Sequence, residues 1–467
     1  MASLKSVPRR IELPVFGQPL WYLGLDVGSC GVRAALCEQR RRQCYPLQWL
    51  NDRGELVSEL PLAFRWRLEP TQRLMPVVAP PSSMVSYLAS VQELEVDRFK
   101  AFLLDATGQL TPSNIALQVQ PWAEAEGSFP QQRRLPRLGL EVTPEISSHL
   151  ATGLAAIFQR LSPEFLEAFP GLCQHPLLTT EEMPQILRQL TGVILNCPGD
   201  APASYRSLLR EAVLQSHLVD LPSRVVFLED SMAALFSHAP LPNGQILVVH
   251  GSHSRTELAL LSLPQGSTAA QGILGFNGGQ MALTQAIVRE LLYPLLPQSD
   301  RSPLATFHLP EIPQFLTSNP ENSLPIGNLR YHQSLQWHLQ QSPLGHILLQ
   351  AAECLQATLQ EQEQFTLRIG QQNHILSAQQ WQTQIVQPYH RNLQHTLQTL
   401  LHRAQLGPQS IEYLLGTGTL GTQPWVLQGL QALCPQAKVI EVGAEDRSQV
   451  ALGLAQFPVY GATTVLA

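Results

Sequence analysis

A chain of 467 residues with 44% hydrophobic content is long enough for two or three lobes, each burying its own core. Charged residues make up only 14% and the net charge is −6, which speaks against the basic footprint of a nucleic-acid binder. No apolar run approaches the ~20 residues of a membrane span, and the basic residues of 1–10 lack the apolar stretch of a secretory leader. The seven cysteines show no CxxC spacing and read as reduced thiols; Cys30, Cys37 and Cys44 recur every seven residues, which matches no common metal pattern. The expectation is a soluble cytoplasmic protein.

Residues 1–20 read as a Pro-punctuated arm, and 21–220 as a first lobe. Its opening strands are Trp21–Asp26, Gly31–Glu38 and Cys44–Leu50, with a turn at 51–54. Between about 51 and 140, short apolar pieces alternate with Pro-rich ones, which predicts an inserted small subdomain. A helix follows over 143–158. There Ile146, Leu150, Leu154 and Phe158 share one face, and Thr143, Pro144 and Glu145 supply the cap. Gly192–Cys197 is a buried strand stopped by Pro198 and Gly199. A helix at Ser204–His217, a strand at Arg224–Leu228 and a short helix at Asp230–His238 come next.

A second lobe is expected over 221–440. It opens with a strand pair at 245–262 and a helix over 279–294, and it holds a helical and loop-rich subdomain at about 280–405. Gly345–Gln360 and Ala378–Ala404 read as long helices around a short hairpin, Phe365–Leu376. A buried strand, Ile411–Leu415, then delivers Gly416 and Gly418. Residues 441–467 read as a C-terminal helix and tail that return to the first lobe. The repeated order of elements predicts a duplicated α/β protein.

The strand–turn–strand at 21–36 carries the most chemistry. An apolar run delivers Asp26 to a strand tip, and Gly28 and Gly31 open a tight turn. Glycine tolerates positive φ there and lets backbone N–H groups approach an anion. A carboxylate beside such a turn can hold a cation that bridges phosphates. An imperfect echo at 246–261 keeps the strands, but His250 stands where the acid would be. His250 and His253 are spaced to meet; with no third ligand evident they read as loop histidines satisfied locally. Cys30 reads as a buried, inert thiol.

Eight motifs in order carry a resemblance. They are Leu25-Asp-Val-Gly28, Thr143-Pro-Glu-Ile-Ser-Ser148, Val193-Ile-Leu-Asn-Cys-Pro198, Phe227-Leu-Glu-Asp-Ser-Met-Ala-Ala234, Gly275-Phe-Asn-Gly-Gly279, Ala351-Ala-Glu353, Gly416-Thr-Gly418 and Val450-Ala-Leu-Gly453. Together they resemble the nucleotide-binding domain of DnaK-type heat-shock chaperones, in the actin-like ATPase superfamily. The resemblance runs from about Trp21 to Gly461 and is weakest in 51–140 and 295–343. It implies an actin-like ATPase fold: two lobes of duplicated ribonuclease-H-like sheets, with helices, around a central cleft. It implies ATP or ADP with Mg as cofactor, Asp26 holding the metal through water, and Asp26, Glu229 and Glu257 as the catalytic acids. Gly28, Ser29, Cys30, Gly278, Gly279, Glu353, Gly416 and Gly418 fall on nucleotide-contacting positions. Pro198, with Arg206 nearby, falls on the proline that relays nucleotide state.

The chain departs from that family where catalysis is concentrated. Its second phosphate loop is His250-Gly-Ser-His-Ser-Arg255, so three side chains occupy backbone expected to need positive φ. The arginine could itself grip a phosphate. Gln356 and Ala357 replace the family's basic residues at the base pocket, and no counterpart of its catalytic lysine stands out. No peptide-gripping sandwich is expected after the last motif. The expected function is therefore nucleotide binding with weak or lost hydrolysis, as a switch for an unidentified protein partner. If active, the chain would be a slow ATPase; the alternative is a pseudo-ATPase scaffold that binds no nucleotide.

Overall fold

The computed structural model describes residues 20–460 except 29–30, 52–53, 62–63, 69–73, 78–92, 97–143, 200, 202, 239–241, 264–268, 297–338, 340–342, 370–371 and 441–448. Most of the expected insertion at 51–140 and most of 295–343 thus lie outside the described residues. The chain is an α/β protein that divides into two compact units. Unit 1 comprises Met1–Leu241, Gln265–Thr268 and Glu445–Ala467; unit 2 comprises Pro242–Pro264 and Ala269–Ala444.

Unit 1 is built on an antiparallel meander of β1 (Trp21–Val27), β2 (Gly31–Glu38) and β3 (Gln43–Pro46). β4 (Leu190–Cys197) joins β1 in parallel, and β5 (Val225–Glu229) joins β4 in parallel, giving the order β5-β4-β1-β2-β3. All seven residues of β1 are buried, which is why it reads as an unbroken apolar run rather than an alternating one. The strand expected at Cys44–Leu50 splits in two. Pro46 ends β3, and Gln48–Leu50 pairs instead with Cys173–Gln174 and Leu56–Val57 in a separate small sheet.

Helices α1 (Pro144–Phe158) and α2 (Ala203–Gln215) pack on each other, with Leu154, Phe158, Leu209 and Val213 fully buried. α3 (Asp230–Phe236) follows β5 directly and packs on the last of the described helices, Gln449–Tyr460. That last helix also lies across β1 and β2. Close approach there demands glycine: a Cβ on Gly24 would meet the backbone of Ala451 and Ala455, and one on Gly453 would meet the Ala233 carbonyl. Because β5 bonds to β4, the strand and α3 belong to unit 1, and the chain enters unit 2 after Leu241 rather than at 221.

Unit 2 repeats the plan. β6 (Gly244–Gly251), β7 (Thr256–Leu263) and β8 (Ala269–Phe276) form an antiparallel meander. β9 (Tyr413–Thr417) lies parallel to β6 and β10 (Lys438–Ile440) parallel to β9, so the order is β8-β7-β6-β9-β10. Strand order and strand sense match unit 1 position for position. Helices α4 (Gln280–Ile287), α5 (Pro343–Glu361), α6 (Gln387–Ala404) and α7 (Pro424–Leu433) pack into the core of unit 2. Leu247, Val249, Leu258 and Leu260 of the sheet pack with Ile287, Leu355, Leu397 and Val426 of the helices. Tyr389 and Trp381 both pack edge-on against Trp425, whose carbonyl lies 2.8 Å from His390 Nε2.

Two outcomes follow from these contacts. Gly453→Ala should lower the unfolding free energy by ~1–3 kcal/mol, the usual cost of inserting a methyl into tight packing, as read by urea unfolding. Burial holds the His390 imidazole below its ordinary value, against the opposing pull of the Trp425 carbonyl. The unfolded chain therefore takes up a proton that folded His390 refuses, so stability drops as pH falls below about 6.5. His390→Gln should flatten that part of a stability–pH profile.

Candidate functional site

At the carboxyl end of β1, the register pairs Asp26 with Arg33 across the hairpin, while parallel pairing of Leu25 with Leu195 places Asn196 alongside. Asp26 is buried, at 5% exposure, and Asn196 more so, at 1%. The Asn196 carboxamide serves three groups at once. Its Oδ1 accepts from the Val27 N–H at 2.7 Å, and its Nδ2 donates to Asp26 Oδ1 at 2.8 Å and to Asp230 Oδ1 at 2.6 Å. A buried amide so used is satisfied, and it holds two carboxylates near one another.

Arg33 answers that negative charge. Its guanidinium lies 3.4 Å from Asp26 Oδ2 and pairs closely with Glu59. Burial alone would pull this guanidinium down, yet Asp26 and Glu59 together hold it above its ordinary value. Gly31 makes room for the arrangement, since a Cβ there would strike the Glu59 side chain and the Leu60 carbonyl. The Gly28 N–H donates to the Gly31 carbonyl at 2.8 Å and closes the turn; neither glycine has a positive φ, so their use here is close packing. Ser29 and Cys30 lie outside the described residues. The Tyr205 hydroxyl is fully buried with no hydrogen-bond partner among the described residues. Burial, reinforced by the Asp230 charge, keeps it protonated well past the ordinary phenol range.

Glu229 sits at the last position of β5, half-buried, at the N-cap of α3 with no side-chain cap bond. Its neighbour Asp230, not Glu229, shares the Asn196 amide with Asp26. Pro198 is buried just past β4, and Arg206 is half-buried on α2.

Unit 2 builds a related tip from different residues. The register pairs His250 with Glu257, both buried, and His250 Nδ1 lies 3.1 Å from Oγ1 of Thr417 on the parallel neighbour β9. The turn beyond is closed by the Ser252 N–H donating to the Arg255 carbonyl at 2.8 Å, and by Ser252 Oγ on the same carbonyl. Ser252, His253 and Ser254 adopt no positive φ, so their side chains fit without the strain expected of them.

The N-terminus of α4 is already occupied. The N–H groups of Gln280 and Met281 donate to the carbonyls of Ser252 and His253, at 3.0 and 2.9 Å. Gly279 is pressed against 253–255, where a Cβ would overlap main-chain atoms of all three residues, and the Gly278 N–H donates to the Phe276 carbonyl at 2.9 Å. The Arg255 guanidinium lies over Gly275, where a Cβ would come within 2.7 Å of it.

Gly416 and Gly418 pack backbone to backbone. Gly418 has φ +73 and abuts the Gly251 carbonyl, and Gly416 abuts Gly421, which itself abuts Val249 and Gly251. Glu353 is exposed on α5, while Gln356 is buried and accepts from Gln280 Nε2 at 2.7 Å.

Sequence reasoning missed Arg33, Glu59, Asn196, Asp230 and Thr417. Asn196 carried a usable signal: a polar side chain inside the apolar run 193–197 must find partners if the strand is buried. Among the described residues, no group of three or more His, Cys, Asp or Glu side chains is placed to hold a metal ion, and no helix is long and apolar enough to cross a membrane. In comparisons with known proteins, the chain matches no protein-family model and no curated sequence.

Asn196→Leu would take the acceptor from the Val27 N–H and one donor from each of Asp26 and Asp230. Each buried group left unmade costs about 1–3 kcal/mol. Urea unfolding of this variant should show a loss larger than that of Asn196→Asp at acid pH, where a protonated carboxyl can still donate.

Proposed function

We propose that this chain is a divergent DnaK-like nucleotide-binding protein of the actin-like ATPase fold. In this reading it binds ATP or ADP with weak or lost hydrolysis and serves as a switch for a protein partner. Support for the fold comes from the repeated sheet: in both units a three-stranded meander is extended by two strands parallel to its first strand, the ribonuclease-H-like pattern.

The observation that carries the nucleotide reading is the tip of β1. Two carboxylates, Asp26 and Asp230, are gathered by one amide at the carboxyl end of a parallel strand pair, beside the Gly28–Gly31 turn. Ligands of open α/β sheets favour that end. Carboxylate oxygens suit Mg, which keeps most of its own water. Asp26 would hold the ion through water, with Asp230 beside it; the bound ion would neutralise phosphate charge. Asn196 fixes both acids in place, and Arg33 competes with any cation for Asp26. Hydrolysis is weak in this reading because Glu257 is paired with an imidazole, His250, rather than with a second acid.

A second reading is a pseudo-ATPase scaffold that binds no nucleotide. It is favoured by the α4 N–H groups, which donate to the chain's own carbonyls rather than standing open to a phosphate.

A thermal-shift titration separates the two. Mg-ATP or Mg-ADP at one hundred times Kd should stabilise the fold by about 2.7 kcal/mol. A flat response at millimolar nucleotide sinks the first reading and leaves the scaffold. Asp26→Asn should remove the Mg-dependent part of any shift, and Arg33→Met should enlarge it. If Asp26→Asn leaves the Mg dependence intact, the ion is not held at Asp26.

A further inference from the structure

The hairpin joining β2 to β3 places Cys37 directly opposite Cys44. Both are free thiols, Cys37 buried and Cys44 half-buried, and they hydrogen-bond to each other. The Leu47 N–H donates to the Ala34 carbonyl at 2.9 Å, which makes Ala34 and Leu47 a hydrogen-bonded pair. Bonded and non-bonded pairs alternate along an antiparallel ladder. Three steps on, Cys37 and Cys44 are therefore a non-bonded pair; Pro46 opposite Ala35, with no N–H to offer, agrees. In such pairs the Cα atoms stand ~4.5 Å apart and the side chains are closest, inside the ~4.4–6.8 Å a disulfide spans.

The surroundings distinguish the two sulfurs. Cys37 packs with Ala35 against Ala451 and Ala455 of the C-terminal helix, which we label α8 (Gln449–Tyr460). Cys44 lies at the rim of that cluster, next to the turn Gln39-Arg40-Arg41-Arg42, whose three arginines are exposed. Hydrogen bonds from Cys37 and from Gln456 of α8 lower the Cys44 thiol, while its bond to Cys44 and burial raise Cys37. One sulfur is thus the accessible nucleophile and the other a resolving thiol held against it.

We propose that Cys37 and Cys44 form a thiol–disulfide exchange site that takes small anionic peptide disulfides, of which oxidised glutathione is the probe. The Cys44 thiolate attacks one sulfur of the external disulfide, whose S–S bond breaks and whose other half leaves as a thiolate and takes up a proton. Cys37 then loses its proton and attacks the Cys44 sulfur, expelling the second half. The balance is two protein thiols oxidised to one disulfide and one external disulfide reduced to two thiols. The arginine turn draws the anionic reagent to Cys44. The site stands independently of any nucleotide reading.

The test is peptide mapping of the folded protein after incubation with oxidised glutathione and alkylation of the remaining thiols. The expected product links Cys37 to Cys44, leaves Cys173, Cys197 and Cys434 reduced, and is reversed by dithiothreitol. Cys37→Ser should trap glutathione on Cys44, and Cys44→Ser should leave Cys37 unmodified. Replacing Arg40, Arg41 and Arg42 together by Gln should slow the reaction with oxidised glutathione roughly tenfold, and leave that with a neutral disulfide unchanged. Wild-type protein that keeps both thiols reduced, or that joins Cys44 to a different cysteine, overturns the proposal. The wild-type mapping decides the matter even if a serine variant fails to fold.

Discussion

The carboxyl end of the unit 1 sheet rests on one carboxamide. Two buried carboxylates repel, and each would lose several kcal/mol of hydration on leaving water. Asn196 resolves this by donating one N–H to each acid, while its carbonyl oxygen takes the Val27 N–H that the end of β1 leaves over. No other side chain of that size offers two donors and an acceptor in one plane. A leucine would fill the volume and supply none of these three bonds, and an ionised aspartate would add a third negative charge. The position of Asp26, and with it every reading of this tip as a ligand site, depends on that amide.

The two units solve the same geometric problem with acid and base exchanged. In each, a strand tip faces a residue seven positions on across its hairpin and a polar side chain on the parallel neighbour. Unit 1 sets an acid at the tip and a base across, Asp26 and Arg33, with Asn196 alongside. Unit 2 sets the base at the tip and the acid across, His250 and Glu257, with Thr417 alongside. The backbone plan is common to both, and the acidic and basic residue types change places. A fold can keep its topology while the chemistry of its tips changes, because main-chain pairing and apolar burial determine the topology.

Much of the architecture was legible in the sequence because long apolar strands and glycine turns are local signals. β1, β2, β6 and β7 could be read from their runs, and α2, α5 and the 365–376 hairpin from their periodicity. The split at Pro46 was not, since Leu47 turns away to close one sheet and begin another through contacts far along the chain. The site was only partly legible. Asp26 could be placed at a strand tip, but Arg33 reads as one more polar residue until the register puts it opposite. Glu229 and Asp230 are adjacent acids, and only the path from β5 into α3 decides which one turns toward Asn196. The glycines at 278–279 and 416–418 could be read as open loops because sequence shows flexibility and not what lies against it. In the structure Gly279, Gly416 and Gly418 lie against other backbone, and Gly278 lies against the Phe276 ring.

Helix α8 crosses β1 at Gly24, more than four hundred residues earlier in the chain. Among the described residues, the backbone packed against Gly24 comes from that distant helix. Unit 2 is almost contiguous between 242 and 444 and contains all of its own strands. The unit 1 sheet thus depends on a contact of very long sequence separation, whereas the unit 2 sheet is closed by strands of its own segment; contacts between distant residues must first meet the entropy of closing the loop between them.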